Sequence, residues 1–130
     1  MPAYDERYSP PTRVIELIVA NPVTGDEAAA LQGKLDTGAA ISIIPLRLVH
    51  ELGLSSHRRI WAGSYDGTYS RREVYYARFL IESREFNAVR CLAIERETVL
   101  LGRNVLNRLV ILLDGPSLSF ELKGSGAPTQ

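Results

Sequence analysis

Lys34-Leu35-Asp36-Thr37-Gly38-Ala39-Ala40-Ile41-Ser42-Ile43-Ile44-Pro45 is the stretch on which the reading of this chain turns. An acid stands directly after an apolar strand end, in a turn closed by glycine, and a second apolar run follows at once. A carboxyl held between two hydrophobic segments is partly withdrawn from water, which suits it to proton transfer. Asp-Thr-Gly is also ordinary turn chemistry, because a short acid bonds its own backbone and glycine accepts the bend. On the tripeptide alone the surface-turn reading is the stronger.

Working outward, the flanks predict strands. Val14-Ile15-Glu16-Leu17-Ile18-Val19 is rich in β-branched residues and stops at Asn21-Pro22, and a second strand is expected to run from Ala29 to Leu35. Pro45 to Leu52 carries apolar residues at 46, 49 and 52 with Gly53 just beyond, which predicts a short helix. Strand signals return at Ile60–Gly63, Thr68–Glu82 and Phe86–Ile94. Asp66-Gly67, between the first two, predicts a long hairpin with its tip there. A helical turn is expected over Arg103–Arg108, then strands at Leu109–Leu113 and Leu118–Leu122. Strands dominate, so the expected fold class is mainly β, a closed barrel-like architecture with one or two short helices.

At 130 residues the chain suits one domain. Residues 1–12, with three prolines and no periodicity, are read as a flexible arm, 13–123 as the domain and 124–130 as a flexible tail. Fifteen basic and fifteen acidic residues balance, so neither a nucleic-acid nor a membrane partner is expected. No segment approaches the ~18 apolar residues that span a bilayer, and the first residues lack a signal-peptide core. The expected location is the cytoplasm, or a soluble part of a larger protein.

Other chemistries find little support. Cys91 is the single cysteine and sits in the apolar run Val89-Arg90-Cys91-Leu92-Ala93-Ile94, where a buried thiol is expected rather than a nucleophile. His50-Glu51 begins like a zinc-peptidase helix, but Leu54 stands where a second histidine belongs, so no metal or other cofactor is expected. Neither a Gly-x-Ser-x-Gly elbow nor a phosphate-binding Gly-x4-Gly-Lys loop is present. Tyr75, Tyr76 and Phe79 read as core and sheet-face residues, and Arg58-Arg59 and Arg71-Arg72 as solvated strand edges.

What reverses the bland reading of Asp36 is its company. The 34–45 segment resembles the active-site loop of the aspartic peptidases: two apolar residues, Asp, Thr or Ser, Gly, Ala or Ser, then an apolar run. Leu100-Leu101-Gly102-Arg103-Asn104-Val105-Leu106 resembles the apolar pair, Gly-Arg-Asn/Asp and helix near the C-terminus of retroviral peptidases. The two motifs come in family order with a glycine-tipped hairpin between them, and together they cover residues 13–122.

The resemblance implies a retropepsin-like fold and a peptidase needing two carboxyls that share a proton across a bound water. No second Asp-Thr/Ser-Gly exists in the chain, so the partner acid is expected to be Asp36 of a second copy, and the active species a homodimer on a peptide or protein substrate. By resemblance, Asp36, Thr37 and Gly38 form the catalytic loop, Thr37 reaching across the axis and Gly38 leaving room for substrate. Ala39, Ala40, Ser64, Tyr65, Asp66 and Gly67 line the substrate, the last four at the flap tip, while Gly102, Arg103 and Asn104 support the loop. Ala39 lacks the hydroxyl of pepsin-like relatives, so activity is expected nearer neutral pH than that of a stomach enzyme. Viral members carry an aspartate at Ala40 that pairs with their arginine, which leaves Arg103 without its family partner. The competing class is a module that keeps the fold for dimerisation or peptide binding without catalysis. A third reading is a precursor domain that frees itself by self-cleavage.

Overall fold

The computed structural model describes residues 3–5, 7, 12–63 and 69–123. Chain order is β1 (Tyr4–Asp5), β2 (Thr12–Ala20), β3 (Leu31–Leu35), β4 (Ser42–Pro45), α1 (Arg47–Leu52), β5 (Ser56–Gly63), β6 (Tyr69–Ile81), β7 (Arg84–Ile94), β8 (Val99–Leu101), α2 (Arg103–Leu106), β9 (Val110–Asp114) and β10 (Ser119–Lys123). The fold is mainly β, and its centre is a closed barrel.

Closure comes from β2, which serves two seams. Val14–Leu17 pairs antiparallel with Lys34–Leu31, and from Leu17 onward the same strand pairs with Ile81–Arg78 of β6. The sheet order β2-β3-β8-β4-β7-β6 thus returns to β2, leaving β1 and β5 as additions outside the ring. Alternation drives this: Ile15, Leu17 and Val19 are buried while Glu16 between them is exposed, so one face of the strand must meet an interior. Phe79, Ile81, Ile44, Leu48, Leu101 and Val105 fill that interior at 2% exposure or less.

Two parallel pairings, β3 with β8 and β4 with β7, lie side by side in the ring. They carry Asp36 at the end of β3 and the 102–104 segment at the end of β8 to one place. The helix expected from Pro45 starts two residues later, because Pro45 still pairs with Ile94 at the end of β4 and the Leu46 N–H bonds the Ile94 carbonyl at 2.8 Å. α1 buries Leu48 and Leu52 and ends at Gly53, whose φ of +63° supplies the left-handed stop. Buried Asn21 ties that end to the β2–β3 turn, its amide donating to the Leu52 carbonyl at 2.8 Å while its oxygen accepts from the Val23 N–H at 2.8 Å.

β5 and β6 pair from Ser56 with Tyr75 to Gly63 with Tyr69, a hairpin as expected. Its tip, including Ser64, Tyr65, Asp66 and Gly67, lies outside the described residues, as does the 124–130 segment. Tyr4 and Asp5, read from sequence as part of a flexible arm, instead pair with Arg13 and Thr12. The Tyr4 N–H bonds the Leu118 carbonyl, and its ring lies 6.2 Å from that of Phe120. β9 and β10 form a separate hairpin that inserts Phe120 and Leu122 beneath the barrel. No helix among the described residues is long and apolar enough to cross a membrane.

Candidate active site

The Asp36 loop is built by continuing a ladder past its end. The Asp36 N–H bonds the Leu101 carbonyl at 3.0 Å, so the parallel pairing of β3 with β8 holds the first loop residue as well. Asp36 Oδ1 then accepts the Gly38 N–H at 2.8 Å, the bond that makes Asp-x-Gly a local turn. A Cβ at Gly38 would stand 3.1 Å from that same oxygen, so glycine here lets the acid fold over its own backbone. The Ala39 N–H closes the turn onto the Asp36 carbonyl at 3.3 Å. Asp36 is half-buried and Thr37 and Gly38 are exposed, which presents the carboxyl at the rim of the barrel.

The loop is held from behind by α2. The Ala39 carbonyl accepts the Arg103 N–H at 2.8 Å, satisfying one of the donors that a helix start leaves free. The Arg103 guanidinium donates to the Thr37 carbonyl at 2.7 Å. Arg103 therefore grips the Asp36 turn through main chain. Gly102 is the hinge of the contact: a Cβ there would meet the Ile41 carbonyl carbon and oxygen at 2.7 Å. Since its φ is −87°, glycine is required at this position by close approach of backbone, not by conformation.

Ser42 is the residue that the sequence reading passed over. It is fully buried; its hydroxyl donates to Asn104 Oδ1 at 2.8 Å and accepts the Gly102 N–H at 3.0 Å. Asn104 passes the link on, its amide donating to the Arg90 carbonyl at 2.8 Å. The signal was present: Ser42 is the single polar residue of Ile41-Ser42-Ile43-Ile44, at an inward position of a strand, where an unpartnered hydroxyl would be costly.

The structure thus brings together Asp36, Thr37, Gly38, Ala39, Gly102, Arg103 and Asn104. Ala40 is exposed at the outer end of the turn and makes none of these bonds. Cys91 is fully buried against the Tyr75 carbonyl, and burial pushes its thiol up to about 12, which removes it as a nucleophile at ordinary pH. Among the described residues no cluster of His, Cys, Asp or Glu could hold a metal ion.

A barrel of this topology with Asp-Thr-Gly at its rim, braced by Gly-Arg-Asn, is the architecture of the retropepsin-like aspartic protease fold family. The chain belongs to the family described as "gag-polyprotein putative aspartyl protease", whose model matches residues 24–108. Its fold is similar to that of EIAV protease, solved with the inhibitor HBY-793, at 19% identity and a TM-score of 0.53 over 74% of this chain and 86% of that one. The retroviral protease-like domain of Ddi1 from Leishmania major is similar at 14% identity and a TM-score of 0.51, covering 84% and 87%. The foamy viral protease-reverse transcriptase is similar at 21% identity and a TM-score of 0.53; 72% of this chain is covered, but only 12% of that longer one. No curated protein matches the chain.

Proposed function

We propose that the chain is an aspartic endopeptidase, active as a homodimer in which Asp36 of each copy faces the other across a two-fold axis. The observation that carries this reading is the single braced carboxyl. Asp36 sits in a turn bonded to β8 and α2, presented at the surface, and nothing comparable exists elsewhere among the described residues. Asp5 is tied to Arg7, and Asp114 closes the β9–β10 turn by accepting the Ser117 N–H.

In the pair, the two acids hold one proton. The ionised carboxyl removes a proton from the water between them as its oxygen attacks the scissile carbonyl, and the protonated carboxyl gives its proton to the carbonyl oxygen. As the gem-diol collapses and the C–N bond breaks, one carboxyl gives its proton to the leaving amine nitrogen while the other takes a proton from a gem-diol hydroxyl, so the pair again holds one proton. The β5–β6 hairpin acts as the flap, with Ser64–Gly67 at its tip over an extended peptide, excluding water from the reaction. No metal or organic cofactor enters the scheme. Activity centred nearer neutral pH than a stomach enzyme's follows from Ala39, which has no hydroxyl to bond the ionised dyad.

Digestion of a peptide library by wild type and by Asp36→Ala, with mass spectrometry of the products, tests the reading. Cleavage by wild type alone supports it; equal cleavage by both proteins places the activity elsewhere.

A further inference from the structure

β3, β8 and β4 lie side by side in the barrel, and their register lines up one row of side chains. Lys34 pairs with Leu100, Leu100 with Ile43, and Ile43 with Leu92 of β7, while Val14 of β2 pairs with Lys34 from the other side. Paired residues of neighbouring strands share a face of the sheet. This face is not the one that fills the barrel. Gly33, Leu35, Val99, Leu101 and Ile44, which alternate with the row, are buried, and a Cβ on Gly33 would stand 2.6 Å from Leu17 Cδ2 in the core. Lys34, Leu100 and Ile43 are only half-buried, so the second face is partly open.

The row runs beside the Asp36 carboxyl. The Asp36 N–H continues the β3–β8 ladder onto the Leu101 carbonyl, so the alternation of the strand carries through Asp36 and returns it to the face of Lys34. Two residues of strand separate them by roughly 7 Å along the chain. Of the five side chains in the row, four are aliphatic and one is charged. A lysine among aliphatic neighbours lays its stem along them and carries its ammonium to the edge.

We propose that Lys34 selects the substrate: the preferred peptides carry an aspartate or glutamate directly beside the scissile bond, its carboxylate on the Lys34 ammonium and its methylenes over Leu100 and Ile43. This rests on the peptidase reading above and names the substrate class which that reading leaves open. An extended peptide rises about 3.3 Å per residue, so the side chain next to a carbonyl held at Asp36 is the one that comes down on this row. The two-fold axis repeats the row and gives one Lys34 on each side of the bond, so an acid is accepted at either place. The ammonium also offsets the repulsion that a substrate carboxylate meets from the ionised acid of the dyad. Glu16, on the same face of β2, lies diagonal to Lys34 and is exposed, where solvent screening leaves it a weak competitor for the ammonium.

Octapeptides that differ only in Glu or Gln before the central bond, on an alanine-rich background, test this with the full chain. In one form a reduced amide replaces the scissile bond and binding is read by titration calorimetry. Wild type should hold the Glu peptide at least ~10 times more tightly than the Gln peptide. Lys34→Met should hold the two alike, and Lys34→Glu should favour a peptide with Lys at that place, with thermal melts verifying that both variants fold. Binding of neither peptide by wild type, equal binding of the two, or a Glu preference that survives Lys34→Met overturns the role of Lys34. In the other form the ordinary amide is present and cleavage is followed. Glu-selective binding with the amide left intact upholds Lys34 and sinks the two-Asp36 enzyme, whereas cleavage with equal kcat/KM for the two peptides keeps the enzyme and overturns Lys34.

Discussion

The Arg103 guanidinium donates to the Thr37 carbonyl across 66 residues of sequence at 2.7 Å, and so clamps the Asp36 turn to the start of α2. Ala40 offers no carboxylate, and a backbone carbonyl takes the guanidinium instead. The clamp and the Ala39 carbonyl on the Arg103 N–H together hold the Thr37–Gly38 and Ala39–Ala40 peptide groups, one at each side of the turn's bend.

Removing the clamp should therefore harm activity more than folding. Arg103 is exposed, so Arg103→Ala is expected to cost about 1 kcal/mol of stability. It should lower kcat/KM by at least ~10-fold through loss of positioning. Thermal melts and peptide kinetics on the same preparation check this, and Arg103→Lys should recover part of the activity because an ammonium can still donate once.

Ser42→Ala should behave in the opposite proportion. Deleting a fully buried hydroxyl strands the Gly102 N–H and the Asn104 amide oxygen, for a loss of about 1–3 kcal/mol. The urea midpoint should fall accordingly, while Ser42→Thr, which keeps the hydroxyl but adds a methyl in a filled site, should also destabilise.

Much of this was legible before any coordinates. The β-branched alternation of 14–19 marks β2, the strand-like runs on either side of residues 64–68 mark the paired β5 and β6, and Asp-Thr-Gly and Gly-Arg-Asn mark two segments that the structure brings together. What escaped was non-local. Tyr4–Asp5 is surrounded by prolines and gains its place from Arg13 and Leu118, contacts that a linear pattern cannot register. Pro45 reads as a helix start yet ends β4, because its lack of an N–H costs nothing where Leu46 supplies the next bond to Ile94. The partner of Arg103 is a main-chain oxygen, for which no residue type is a marker.

Cys91 offers a probe of the intact barrel. Its thiol, raised to about 12 from 9.0 by burial, stays neutral in the folded state and should resist alkylation at neutral pH until the chain unfolds. The raised value means that the folded state disfavours the thiolate. Its stabilising contribution is complete below about pH 9 and is lost as pH rises toward about 12. Thiol labelling under native conditions and in urea, and denaturation followed between those pH values, check both statements.

The central claim is that one catalytic site needs Asp36 from two copies, and subunit mixing tests it most directly. Wild type is combined with an equal amount of Asp36→Asn at fixed total concentration and allowed to exchange, and peptide cleavage is compared with that of undiluted wild type. Because only pairs with two acids are active, the rate should fall to about a quarter; a fall to only about half would mean that each chain works alone.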